Sequence, residues 1–145
     1  MNIYLSSTYS SKIFLNTIKK EIENSNTHNV VLSNWLTSDV IEDISVSSLI
    51  DFHDIDNCDM LIAFYPYGYG TVSEIAYALG RKKFVIYVVD DYYNPKKIGE
   101  PLVCGLLKQF DHNNIYDPWP KYGFVVNNLE DAIYLVNEYR KKFHE

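Results

Sequence analysis

Two uninterrupted apolar runs restrict the fold most: "DMLIAFY" (59–65) and "KFVIYVVDD" (83–91). A strand with one face in water alternates apolar and polar residues, whereas a strand apolar at almost every position is covered on both faces. Such strands belong to parallel sheets, whose neighbours are joined by long crossovers that are usually helices. The surrounding segments have that form. "NIYLSS" (2–7), "NVVLSNW" (29–35) and "YGFVVNN" (122–128) read as further strands. Between them, residues 10–24 place Ile13, Phe14, Ile18 and Ile22 near helical spacing. Residues 39–57 place Val46, Leu49, Ile50 and His53 at i, i+3, i+4 and i+7. A helix over 71–80 turns Val72, Ile75, Ala76 and Leu79 inward, and an amphipathic helix over 128–143 follows the last strand. Residues 92–120 are less regular, with Pro95, Pro101, Pro118 and Pro120 and a short helix over 100–109. The alternation predicts an α/β protein of one domain, a Rossmann-like parallel five-stranded sheet flanked by helices. A chain of 145 residues suits one core.

Composition narrows the partners. The sequence is 47% hydrophobic and 22% charged, with a formal net charge of −6, and it carries no basic block or stripe. A nucleic-acid polymer is therefore not an expected partner, while a free nucleotide is compatible, because one small pocket can oppose the overall sign. Cys58 and Cys104 form no CxxC pair. His28, His53, His112 and His144 form no ligand cluster, so no metal is expected. "MNIYLSS" has neither a basic n-region nor a long apolar h-region, and no apolar run approaches ~18 residues. The expectation is no membrane contact and a cytoplasmic setting. Thirteen Tyr, seven Phe and two Trp suit either a Tyr-rich core and subunit interface or ring stacking on a planar ligand.

In open parallel sheets, ligands bind beyond the carboxyl ends of the strands. Those ends are Ser6–Tyr9, Asn34–Leu36, Tyr65–Gly70, Asp90–Tyr93 and Asn127–Asn128. The third, within "PYGYGTVSEIAYALG" (66–80), admits two readings. Thr71-Val72-Ser73-Glu74 matches the capping box S/T-x-x-E, with Gly68 and Gly70 giving a tight turn before the helix. Alternatively, Glu74 in the first turn is an ionised carboxylate favoured by the helix dipole and aimed at a ligand. Asp51, on the helix feeding the third strand, and Tyr4, in the first, can reach the same crevice. Ser6, Tyr9, Tyr65, Tyr67, Gly68, Gly70 and Thr71 are then its candidate substrate-binding residues, with Tyr9, Tyr65 or Tyr67 stacking on a base.

The stretches "IYLSS", Asp51 to Asp59, and "GTVSEIAYALGRKKFVIYV" together resemble the nucleoside 2-deoxyribosyltransferase family, most closely over about residues 50–90. The resemblance implies a flavodoxin-like homo-oligomer, a dimer or larger, in which a neighbouring segment completes each pocket; His112-Asn113-Asn114 is the candidate segment. It implies Glu74 as nucleophile, Asp51 as the acid that protonates the departing base, and Tyr4 as the residue that positions Glu74. It calls for no cofactor. The partners would be a small nucleoside or nucleotide and a nucleobase, with the sugar passed to another base or to water. One position departs from the pattern: where transferases carry an aspartate for the 5′-hydroxyl, and monophosphate-cleaving relatives a serine, this chain has Gly68. "PYGYGTVSE" is also similar to the P-G-G-x-G-T-x-x-E signature of the phosphoribohydrolases. The alternatives are therefore a nucleoside 5′-monophosphate N-glycosidase and a non-catalytic nucleotide sensor.

Overall fold

The computed structural model describes residues 1–37, 44–89 and 122–144. The expected helix over 100–109, the rim at Asp90–Tyr93, the segment His112-Asn113-Asn114 and Cys104 lie outside the described residues. Five parallel strands form one sheet: β1 Asn2–Ser6, β2 Val30–Val31, β3 Met60–Phe64, β4 Phe84–Val88 and β5 Gly123–Val126. Their order is β2-β1-β3-β4-β5, the flavodoxin-like doubly wound arrangement, in which the order reverses between β1 and β3. Among the described residues, four helices flank the sheet: α1 Lys12–Ser25, α2 Ile44–Asn57, α3 Tyr69–Gly80 and α4 Leu129–Phe143. Among the described residues, no helix is long and apolar enough to cross a membrane.

The sheet buries a core on each face. Ile3 and Leu5 of β1 join Leu15, Ile18 and Ile22 of α1 and Ala132, Leu135 and Val136 of α4. On the other face, Tyr4 packs with Ile55 of α2, Ile75 and Ala78 of α3, and Tyr87 of β4. Side chains alternate along a strand, so Tyr4 and Ser6 share the face that α2 and α3 cover. β3 and β4 are buried at every position, as their apolar runs require.

Three details differ from the sequence reading. The buried stripe of α1 is Leu15, Ile18 and Ile22, while Ile13 and Phe14 are 86% and 60% exposed. A spacing of i, i+3, i+7 keeps one helix face on the sheet, and Ile13 and Phe14 fall outside it. On α2, Val46, Leu49 and His53 are exposed, and the inward positions are Asp54 and Ile55, with the buried Cys58 just past its end. β2 is only two residues long, and beyond it Asp54 accepts hydrogen bonds from the Asn34 backbone N–H at 2.9 Å and from Asn34 Nδ2 at 2.7 Å. The chain leaves the sheet there in a 3-10 turn, Asn34–Leu36.

Candidate active site

A cleft of about 360 Å³ opens between the carboxyl ends of β1 and β3, where the strand order reverses. Three elements build it. After β1, a 3-10 turn at Tyr9–Ser11 leads into α1. After β3, the chain passes through Gly68 into α3. From the side, α2 presents Ser47 and Asp51, one helical turn apart.

Helix α3 begins at Tyr69 with Gly68 as its N-cap, and no side chain caps it. The capping box expected at Thr71 and Glu74 is therefore not formed. Starting two residues early puts Thr71 in the first turn and Glu74 in the second, out of reach of the orphan N–H groups that a box would satisfy. Ser6 of β1 instead donates a hydrogen bond from Oγ to Glu74 Oε2. The Thr71 hydroxyl is buried without a hydrogen-bond partner and borders the cleft. The inward positions of α3 are Thr71, Ile75 and Ala78, while Val72 and Leu79 are half-buried and Ala76 is exposed. Neither glycine uses its special backbone freedom: Gly68 is extended, at φ −83° and ψ 176°, and Gly70 is helical. What Gly68 supplies is room, since a Cβ there would lie 3.3 Å from Thr8 Cγ2.

Glu74 and Asp51 both border the cleft. Burial pushes Glu74 up to about 7; the Ser6 hydroxyl opposes this, the Asp51 charge adds to it, and the Tyr4 hydroxyl also opposes it. The ionised Glu74 expected at a helix terminus thus meets a stronger opposing effect, because desolvation outweighs a dipole already weak in the second turn. Burial likewise pushes Asp51 up to about 6, with the Asp54 charge adding to the rise and the Tyr4 hydroxyl lowering it. Tyr4 is fully buried. Burial, then the two carboxylates, hold its own pKa well above the usual range. Its hydroxyl makes no hydrogen bond of ordinary geometry, yet it lies near enough to bias both carboxyls.

The structure thus gathers Glu74, Asp51, Tyr9, Gly68, Gly70 and Thr71 around one cleft, with Tyr4 and Ser6 buried beneath it. It separates Tyr65 and Tyr67 from them. Tyr65 borders a smaller apolar cavity with Phe14 and Leu129, two residues that belong to the α1 and α4 side of the sheet. Tyr67 donates its hydroxyl to the Val88 carbonyl at 2.9 Å and packs edge-on to Tyr87. The aromatic side chains that border the cleft are instead Tyr9 and Trp35, the second of which the sequence reading missed. Trp35 borders the cleft and is pinned by a 3.0 Å bond from Nε1 to the Leu5 carbonyl. Its signal was its position at the carboxyl end of the second strand. Ser7 and Thr8, within the strand end Ser6–Tyr9, and the unforeseen Ser47 also border the cleft. Among the described residues, no three His, Cys, Asp or Glu side chains converge as metal ligands.

No family model matches the chain, and no curated protein does. Solved structures are similar to it. A conserved protein from Enterococcus faecalis V583 superposes with a TM-score of 0.72 at 15% identity, over 96% of this chain and 98% of its own. A CMP N-glycosidase from Clostridium botulinum superposes with a TM-score of 0.59 at 17% identity, over 96% of this chain and 100% of its own. At such identities the likeness is one of fold.

Proposed function

We propose that this protein is an N-glycosidase that releases the base from a nucleoside 5′-monophosphate. The observation that carries the reading is the placement of two carboxyls, Glu74 on α3 and Asp51 on α2, at one cleft of the sheet's switch point, where burial raises the pKa of each. A glycosidic bond cleaved with retention needs such a pair. Glu74 attacks C1′ while Asp51 gives its proton to the leaving nitrogen of the base, and the C1′–N bond breaks. The sugar is then held as an ester on Glu74. Water attacks C1′, Asp51 takes the proton back, and Glu74 leaves as a carboxylate.

This cycle runs on the pair carrying one proton. With carboxyls near 6 and 7, the singly protonated pair dominates in a narrow band of pH. A base that accepts from Asp51 favours the proton there, and the Ser6 hydroxyl stabilises the charge left on Glu74. The monophosphate is favoured over the nucleoside by the mouth of the cleft. Gly68 offers no carboxylate for a 5′-hydroxyl or against a phosphate, and Ser7, Thr8 and the uncapped start of α3 stand beside it. The structural likeness to a CMP N-glycosidase supports the same choice.

The test is base release, followed by chromatography, from CMP, UMP, AMP, GMP, dTMP and the matching nucleosides, with and without an added acceptor base. The expected result is free base from at least one monophosphate, with Glu74→Gln at least ~10³-fold slower. Release that is undiminished in Glu74→Gln overturns the mechanism. New nucleoside formed with the acceptor would make the protein a transferase, and binding without cleavage would make it a sensor.

A further inference from the structure

We propose that Asp54 is a positioning residue that keeps a proton on Asp51, acting through its own fixed negative charge one helical turn away. The inference rests on the proposed glycosidase reading for its consequence, but its electrostatics can be tested alone. Asp54 is 5% exposed. Buried carboxylates are usually paired with a cation, but among the described residues none pairs with this one. Two bonds from Asn34 hold it instead, from the backbone N–H at 2.9 Å and from Nδ2 at 2.7 Å. Both donors are neutral, so the charge is fixed in place without being cancelled. Residues i and i+3 of a helix are neighbours, and the charge of Asp54 opposes ionisation of Asp51.

The other groups facing Asp51 do not replace it. From β1, the Tyr4 hydroxyl favours the ionised form. From α3, Glu74 is the carboxyl that feels the Asp51 charge. The 3-10 turn after β1 brings the neutral Tyr9, and the turn at Asn34–Leu36 brings the uncharged Trp35. Asp54 is thus the one fixed charge, among the described residues, that raises Asp51's hold on its proton without taking part in the transfer. The same clamp also seats the turn that carries Trp35, tying the base-stacking wall to the acid.

The experiment compares wild type with Asp54→Asn, in which the amide is isosteric and can still bond Asn34. Asp51 is titrated by carbon-13 carboxyl resonances, and base release from the monophosphate panel is followed from pH 5 to pH 9. Circular dichroism verifies the fold, and Asp54→Ser serves if Asp54→Asn does not fold. The Asp51 midpoint should drop by on the order of one pH unit, and the alkaline limb of the rate profile should move down with it. A midpoint that stays at its wild-type value overturns the proposal. So does a rate lowered equally at every pH, the mark of a merely structural role. Should wild type release no base at all, the glycosidase reading fails, and the titration still decides the role of Asp54.

Discussion

Glu74 is aimed by a strand, not by its own helix. The Ser6 hydroxyl that bonds it stabilises the charged form, and a hydrogen bond to a charged group contributes about 1.5–3 kcal/mol. In Ser6→Ala, Glu74 should therefore hold its proton more tightly. The acid limb of the pH–rate profile should move up by on the order of one pH unit, and activity at pH 6 should fall most. A limb that stays in place would show that the bond does not tune the proposed nucleophile. At this scale, much of the site was legible in the sequence. Glu74, Asp51 and Tyr4 were marked by resemblance, and Gly68, Gly70 and Thr71 by their place after a buried strand. Tyr65 turns to the cavity by Phe14 and Leu129 and Tyr67 to the Val88 carbonyl, because strand-end position does not say where a side chain points. Ser6 was read as a substrate contact because a serine's partner 68 residues away leaves no local trace. Asp54 passed unnoticed because a buried acid looks, in sequence, like any solvated one.

Elements were legible where periodicity is strong and uniform. The five strands and four described helices stand where the alternation put them, with ends shifted by at most three residues, β2 cut to Val30–Val31 and the expected start of α2 at 39–43 outside the described residues. Helix faces were less legible. On α1 the apolar residues Ile13 and Phe14 are exposed, so counting hydrophobic positions rotated the helix wrongly. On α2 the inward face carries Asp54, which a search for apolar stripes passes over. The orientation of α1 has a direct consequence for stability. Ile22→Ala should cost about 2–5 kcal/mol, the usual range for emptying a well-packed site. Ile13→Ala should lie within about 0.5 kcal/mol of wild type. Urea unfolding of the two variants decides it, and equal losses would mean that α1 lies differently on the sheet.

For the whole molecule, the site is a stability cost with a defined pH signature. The ordinary values of Glu74 and Asp51 are 4.5 and 3.8, and folding raises them to about 7 and about 6. Raised carboxyls bind protons more tightly in the folded state. Their contribution to stability is thus complete below about pH 4 and is lost as pH climbs through about 6 and about 7. Glu74→Gln should therefore be more stable than wild type at pH 8, by on the order of 1–3 kcal/mol. The gap should close as pH falls toward 4. Denaturant midpoints at pH 5 and pH 8 test this, and a gap that does not depend on pH would contradict the burial of Glu74. The doubly wound sheet itself was readable because parallel strands leave no choice about being covered on both faces. The bond from Ser6 to Glu74 crosses almost half the chain, joining its first strand to its third helix. A nascent polypeptide with its helices wound but β1 unpaired from β3 would carry both carboxyls and no cleft to hold them together, so whatever chemistry the pair performs belongs only to molecules that have finished folding.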